Sequence, residues 1–173
     1  MRKIWLGMTL SIVTGAAVRE CLSGVLQDVV HVEIKWPNDI LAVGKKVCGI
    51  LCETRKITAI GIGIKVNQVT WPPDLEGKVV SLAEILGGPL DPMDVIRRVV
   101  ACFDRWYSLF LNEGFGPVRD YFLDHGLLKG HCLETEEGFP CTILGINEYG
   151  HLLIMVSGRV RELLSGTVVL GKG

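Results

Sequence analysis

The stretch Lys35-Trp36-Pro37-Asn38-Asp39 places an ammonium, an indole, an amide and a carboxylate around a proline. Pro37 has no N–H to donate and biases Trp36 toward extended backbone, so regular pairing should stop there and leave the polar groups at a rigid corner. Asn38 and Asp39 are oxygen donors that suit Mg²⁺ or a phosphate-bearing ligand, and a lysine offsets phosphate or carboxylate charge. Lys45-Lys46 follow Gly44, and a chain that turns there would bring Lys46 back toward the Asn38-Asp39 corner. A lone Pro-Asn-Asp triplet is more often a plain polar turn between strands, so the triplet by itself does not make a site.

These groups need strands to hold them. Residues 29–35 alternate apolar and polar, a period of two that predicts a strand with one buried face. Residues 46–53 predict a second strand and 58–64 a third, in which Ile60, Ile62 and Ile64 share one face. Gly61 and Gly63 leave the opposite face bare, so a flat ligand or another backbone can lie against it. Ahead of them, Met1-Arg2-Lys3 and the apolar run to Val13 look like an export signal, with Gly15-Ala16-Ala17 as small residues near its end. The rival reading is a core helix to about Leu22, because Leu6, Leu10, Val13, Ala17 and Cys21 fall at helical spacing. Ser23-Gly24 would close that helix.

Further along, Val69–Gly77 reads as a loop and residues 81–86 as a short helix ended by Gly87-Gly88-Pro89. Asp91 is an N-cap with Pro92 at the first helical position. That helix runs to about Asn112 with Val95, Val99, Cys102, Phe103, Trp106 and Phe110 as its buried stripe, and a shorter one follows over residues 116–125. After Gly126 the rhythm changes to short strands and frequent turns, with strands over residues 141–146, 151–156 and 166–170 and turns such as Glu148-Tyr149-Gly150. This predicts a small all-β barrel. The expected fold class is therefore α+β, a mixed sheet with helices packed on it over residues 1–126, then a barrel over residues 127–173.

The chain has 173 residues, half of them apolar (49%), which is enough for a true core. A net charge of -1 gives no electrostatic case for nucleic-acid binding. The apolar stretch at the start is too short and interrupted to span a membrane. The six cysteines are Cys21, Cys48, Cys52, Cys102, Cys132 and Cys141. In a chain of this size they read as buried thiols of a reducing, cytoplasmic compartment. Cys48 and Cys52 would sit about 13 Å apart on a strand, too far to share a metal, so no structural metal is expected.

The order and spacing of three motifs resemble the catalytic domain of biotin protein ligases. They are Lys35-Trp36-Pro37-Asn38-Asp39, the run Lys45 to Glu53, and Gly61-Ile62-Gly63-Ile64-Lys65-Val66-Asn67. The resemblance extends from about Leu6 to Leu170. The segment after residue 126, with Gly145-Ile146-Asn147, Gly150 and Ser165-Gly166, resembles the family's SH3-like C-terminal domain. It implies an ATP-dependent ligase that converts biotin to biotinyl-AMP and passes the acyl group to a lysine of a biotin carboxyl carrier protein. It implies ATP and Mg²⁺ as co-substrate and biotin as substrate. Lys46 then corresponds to the catalytic lysine at the biotin carboxylate and bridging phosphate. Lys35, Trp36, Asn38, Asp39, Gly49, Ile50, Gly61, Gly63, Lys65 and Asn67 would be substrate-binding, with Asn38 also toward Mg²⁺.

Two departures weigh on that expectation. The family's Gly-Arg-Gly-Arg-x-Gly-Arg loop, which clamps biotin and the adenylate, has no counterpart in these residues; Gly158-Arg159-Val160-Arg161 lacks the remaining glycines. Lys65 stands where the family has an asparagine toward adenine, and a lysine offers donors but no acceptor. Thr167 replaces a carboxylate in the barrel. The expectation is a truncated ligase, impaired as this chain alone, that a separate chain supplying the missing part completes or whose true start lies upstream, with a homodimer formed through the edge that truncation would expose. The alternative is a non-catalytic binding protein of the same family. A lipoate or octanoate transferase relative fits the Trp-Pro-Asn-Asp run less well. No helix-turn-helix segment is found, so no operator binding is expected.

Overall fold

The structure is a computed structural model that describes residues 2–126, 132–134, 140–164 and 169–170. Helix α1 (Arg2–Val25) runs through the centre of the molecule. Leu10, Ile12, Val13, Ala16, Ala17, Val18, Cys21 and Leu22 are all buried, so the helix is apolar well beyond one stripe, as a helix packed on both sides must be. Residues 9–17 of the stretch that looked like an export signal are thus buried. Among the described residues, no helix is long and apolar enough to cross a membrane. Gly15 lets the helix approach the sheet: a Cβ there would stand 3.4 Å from Ile34 Cγ2. The helix ends later than Ser23-Gly24 suggests. Gln27 and Asp28 take left-handed backbone (φ 53 each), and Ser23 Oγ donates to Asp28 Oδ1 at 2.5 Å. A side-chain bond to a residue that tolerates that region does the work expected of a glycine.

Strands β1 (Val32–Lys35), β2 (Asp39–Ala42), β3 (Lys45–Thr54) and β4 (Thr58–Ile64) form a four-stranded antiparallel sheet in that order. The sheet is antiparallel where a mixed one was expected, and parallel pairing is confined to two isolated bridges, Ile34 with Gly126 and Lys46 with Val79. The β2–β3 hairpin turns at Val43 and Gly44, both with positive φ (49 and 72), matching the twist of the strands. Short helix α2 (Leu82–Leu86) starts with a capping box between Ser81 and Glu84 and stops at left-handed Gly87. Helix α3 (Pro92–Glu113) is capped by Asp91, whose carboxylate accepts from Met93 N at 2.9 Å, and α4 (Gly116–His125) follows. Helices α3 and α4 pack on α1, and α4 also touches β1.

A second, five-stranded antiparallel sheet has the order β8-β7-β6-β5-β9, comprising β5 (Cys132–Glu134), β6 (Pro140–Ile146), β7 (Leu152–Val156), β8 (Arg159–Leu163) and β9 (Val169–Leu170). Strand β8 escaped the sequence reading because four of its five residues are exposed, so no apolar alternation marks it. Part of the predicted strand over 166–170 and the landmarks Ser165-Gly166 and Thr167 lie outside the described residues. The second sheet joins the first through one contiguous core that includes Cys141, Ile143, Ile146, Leu152, Ile154 and Val156. Gly150 (φ 83) makes the seam close: a Cβ there would meet Ile12 Cδ1 at 2.8 Å.

Candidate active site

Sheet register, more than the order of residues, builds the site. Lys35 pairs with Asp39, Asp39 with Gly49, and Gly49 with Gly63, so four residues from four strands form one row across the sheet. Side chains alternate along each strand, so this row lies on the face opposite Ile34, Ile40, Cys48, Ile50 and Ile62, which pack toward α1. The row has a cationic end, a carboxylate, and then two glycines in sequence. The glycine half is a stretch of sheet with its backbone uncovered.

Lys46 lies over this row. Its Nζ is 2.6 Å from Asp39 Oδ1, with side-chain exposures of 39% and 22%. The ammonium crosses Gly49: a Cβ on that residue would stand 3.1 Å from both Cε and Nζ of Lys46. Gly49 is therefore required for the lysine to fold back along its own strand. The lysine backbone is fixed as well, since Lys46 N donates to Lys78 O at 3.0 Å and Val80 N donates to Lys46 O at 3.1 Å. A rigid main chain thus carries a partly exposed ammonium in a solvent-accessible ion pair with Asp39. Such pairs are worth about 0.2–1 kcal/mol. An arriving anion can take the ammonium from Asp39 at small cost.

The remaining candidates divide into those near the row and those engaged elsewhere. Asn38 Nδ2 donates to Ile50 O at 2.7 Å, and Ile50 N donates to Asn38 O at 2.8 Å, so the corner is stapled to β3 by two bonds. The amide oxygen of Asn38 is the atom left to face a ligand. Ile50 is 2% exposed and contributes backbone only. Lys65 lies just past the end of β4, with its backbone bonded to Val47 O and Leu82 N. Gly61 pairs with Leu51, one step further along the bare face.

Trp36 and Asn67 make contacts of their own within the fold. Trp36 is 2% exposed and donates its indole N–H to Gly150 O at 2.9 Å. That bond ties the first sheet to the turn between β6 and β7. Asn67 uses both ends of its amide on Leu90, donating to the carbonyl at 2.8 Å and accepting from the N–H at 2.9 Å. It pins the approach to α3.

A pocket of about 310 Å³ opens beside the corner, lined by Ser11, Pro37, Asn38, Ile50, Cys52 and His151 among others. Sequence reasoning did not find His151. The residue is 3% exposed, and its Nδ1 is bonded to Glu162 Oε1. Asn147 organises this corner of the second sheet: its Nδ2 donates to the same carboxylate at 2.8 Å, and its Oδ1 accepts from His151 N at 3.0 Å. The hydrogen bond from His151 holds the Glu162 carboxyl below its ordinary range. The Asn147–Gly150 landmark was the one available signal, and it gave no partner for the histidine.

The thiols behave as core atoms. Cys21, Cys48 and Cys141 are buried, and burial pushes Cys48 up to about 12 against the pull of Lys65. Among the described residues, no group of three or more His, Cys, Asp or Glu could hold a metal ion.

Comparison with known proteins now bears on this geometry. The biotin/lipoate A/B protein ligase family profile matches residues 8–67, from α1 to just past β4. The bifunctional ligase/repressor BirA of Bacillus subtilis is 33% identical over 153 residues, 82% of this chain and 47% of that protein. The biotin–(acetyl-CoA-carboxylase) ligase of Paracoccus denitrificans is 33% identical over 159 residues, 84% of this chain and 65% of that protein. The crystal structure of the biotin protein ligase from Aquifex aeolicus superposes with a TM-score of 0.87 at 29% identity, covering 95% of this chain and 75% of that one.

This chain belongs to the biotin protein ligase family. It spans about half the length (47%) of the first curated relative it matches. The Aquifex ligase is also known in complex with biotin and ATP, with a TM-score of 0.83 to this chain. Within the family frame, the matched segment contains the whole Lys35–Gly63 row and Lys46. The His151–Glu162 pair lies outside that segment.

Proposed function

We propose that this protein is a biotin protein ligase core, in which biotin is activated by ATP and transferred to a carrier-protein lysine. The observation that carries the reading is the Lys46 ammonium folded over Gly49, beside a bare glycine row and within reach of Asp39. In the first step a carboxylate oxygen of biotin attacks the α-phosphorus of ATP, the bond to the pyrophosphate oxygen breaks, and pyrophosphate leaves. In the second the neutral amine of a carrier lysine attacks the acyl carbon, AMP departs, and the amine gives up a proton. Both steps bring anions together, so fixed positive charge aimed at the reacting oxygens lowers the barrier. Lys46 supplies that charge by exchanging Asp39 for the ligand. Gly49 and Gly63 let the ligand lie against backbone, with Lys35 and Lys65 flanking it. Asn38 keeps the corner in place through Ile50.

Magnesium fits this corner in a limited way. The Asn38 amide oxygen and the Asp39 carboxylate would hold it, and Mg²⁺ is commonly bound by one or two protein oxygens with phosphate and water completing the shell. When bound it would neutralise phosphate charge.

The 173 residues contain no Gly-Arg-Gly-Arg-x-Gly-Arg run, and removal of one charged donor typically costs about 10²–10³ in rate. The isolated polypeptide is accordingly expected to adenylate biotin slowly. Lys65 favours a second reading, a family member that binds ligand without turnover, because a lysine cannot make the two-way contact of an amide. Calorimetry with biotin and with biotinyl-AMP, followed by transfer of label to a carrier protein, tests both. Transfer that Lys46→Ala abolishes supports the ligase. Tight adenylate binding without transfer supports the binder, and no binding of either ligand rejects both.

A further inference from the structure

Helices α1 and α3 meet through a pair of thiols. Val95, Val99, Cys102 and Trp106 share one face of α3, so Cys102 lies on the stripe that packs against the core. The register against α1 is set one residue before Cys21. Glu20 Oε2 accepts from the Trp106 indole N–H and Glu20 Oε1 pairs with Arg105, each at 2.5 Å. Cys21 is thereby brought beside Cys102, and the two side chains share a hydrogen bond. Both residues are reduced. Their surroundings differ. Cys21 is 5% exposed, whereas Cys102 is half-buried and Arg105 Nη2 donates to its sulfur at 3.9 Å. Burial, then the neighbouring Cys102, pushes the Cys21 thiol up to about 12. A thiol reacts as its thiolate, and a nearby arginine favours that form. The sulfur that water and Arg105 both reach is therefore the nucleophile of the pair. Cys48 and Cys141 are buried, and burial raises the thiol of half-buried Cys52 against the pull of the Ser11 hydroxyl.

We propose that Cys102 and Cys21 are an oxidisable pair, in which a peroxide modifies Cys102 and Cys21 then closes a disulfide between α3 and α1. In the first step the Cys102 thiolate attacks one peroxide oxygen and the O–O bond breaks. The other oxygen leaves as hydroxide, so the sulfur is oxidised to a sulfenic acid and the peroxide is reduced. In the second step the Cys21 sulfur attacks the Cys102 sulfur and the S–O bond breaks. The Cys21 proton goes to the departing oxygen, and water leaves. A buried thiol that holds its proton is a slow nucleophile toward a peroxide in solution. Here its target is the sulfur it is already hydrogen-bonded to, and that proximity offsets its low reactivity. The order of events follows from the surroundings: the half-buried thiol with the arginine donor reacts first, and the buried one resolves it. A thiol reductant reverses the bond by exchange. Neither residue belongs to the Lys35–Gly63 row, so the pair stands apart from the ligand site.

Mild treatment of the native full chain with hydrogen peroxide, followed by alkylation, trypsin and mass spectrometry, reads this directly. Peptide 20–35 linked to peptide 99–105 with the loss of two hydrogens is expected, and dithiothreitol should undo the link. Cys102 should oxidise about tenfold or more faster than Cys48 or Cys141. Cys21→Ser should stop Cys102 at the sulfenic acid, captured by dimedone, and Cys102→Ser should slow oxidation of Cys21 about tenfold or more. Arg105→Gln should slow Cys102 about threefold or more. The linked form should melt about 5 °C or more above the reduced one, because the bond closes a long loop. Circular dichroism would show that each variant folds, and the linked peptide is sought in the wild type, where no variant is needed. A Cys102 that reacts no faster than the buried thiols overturns the proposal. So does a Cys102 carried to sulfinic acid with no linked peptide, which would leave Cys21 out of reach. A linked form that melts below the reduced one would mean that the bond closes only in an opened chain, and would reject a native pair.

Discussion

The two faces of β3 show how differently one strand can be used. Cys48 and Ile50 point at α1 and are closed off, at 0% and 2% exposure. Gly49 and Leu51, their immediate neighbours, face the other way, and Leu51 is 61% exposed. The closed face is built for stability and tolerates no loss of volume. The open face contributes little burial and keeps a lysine, a carboxylate and bare backbone accessible. Mutations on the two faces should therefore separate stability from chemistry.

The largest effect is expected at the closed seam. Trp36→Ala removes a buried indole and leaves Gly150 O without its donor, and should cost about 3–5 kcal/mol of stability, read as a fall in the denaturant midpoint. A midpoint close to wild type would mean that the two sheets are held by something else. Next comes Lys46→Ala. Its loss of one accessible ion pair should change stability by less than about 1 kcal/mol, while adenylation falls about 100-fold or more. A variant that loses stability but not activity would reverse the assignment of faces.

Gly49→Ala sharpens the comparison further. The added methyl contacts Lys46 at 3.1 Å, whereas the same change at Gly63 meets only Gly49 O at 3.7 Å. Adenylation should drop about tenfold for the first and less for the second, with little change in melting temperature for either. Equal effects at the two glycines would remove the reason given for Gly49.

Cysteine chemistry and pH give the smaller tests. Cys48 on the closed face is pushed up to about 12, above the ordinary thiol value of 9.0. Its contribution to stability is complete below the unfolded value and is lost as pH rises from there toward the folded one, so Cys48→Ser should lose less stability over the alkaline range than the wild type. Native-state thiol labelling at mildly alkaline pH should spare Cys48, and rapid labelling would show that the closed face opens. Glu162 titrates in the opposite sense. Its carboxyl is held low by His151, so its contribution is present above the unfolded value of 4.5 and is lost as pH falls through the folded one. Glu162→Gln should flatten the acid limb of the stability curve, and an unchanged limb would make the pair energetically silent.

Much was legible from local pattern alone. The alternation at residues 58–64, the Asp91-Pro92 helix start and the turns at residues 148–150 and 157–158 reflect short-range physics, and those elements formed where expected. The return of Lys46 to the corner also followed from a hairpin that its own glycine allows. The Lys35–Asp39–Gly49–Gly63 row, the commitment of Trp36 to Gly150 and the withdrawal of Asn67 to Leu90 were not legible. Each depends on pairing between residues distant in sequence, and residue type alone does not say which partner a polar group will find. Sequence determined which groups were available and which strands would carry them. Tertiary structure decided which face each group occupied, because strand register and the burial of α1 assign one side of the sheet to the core and leave the other for a ligand.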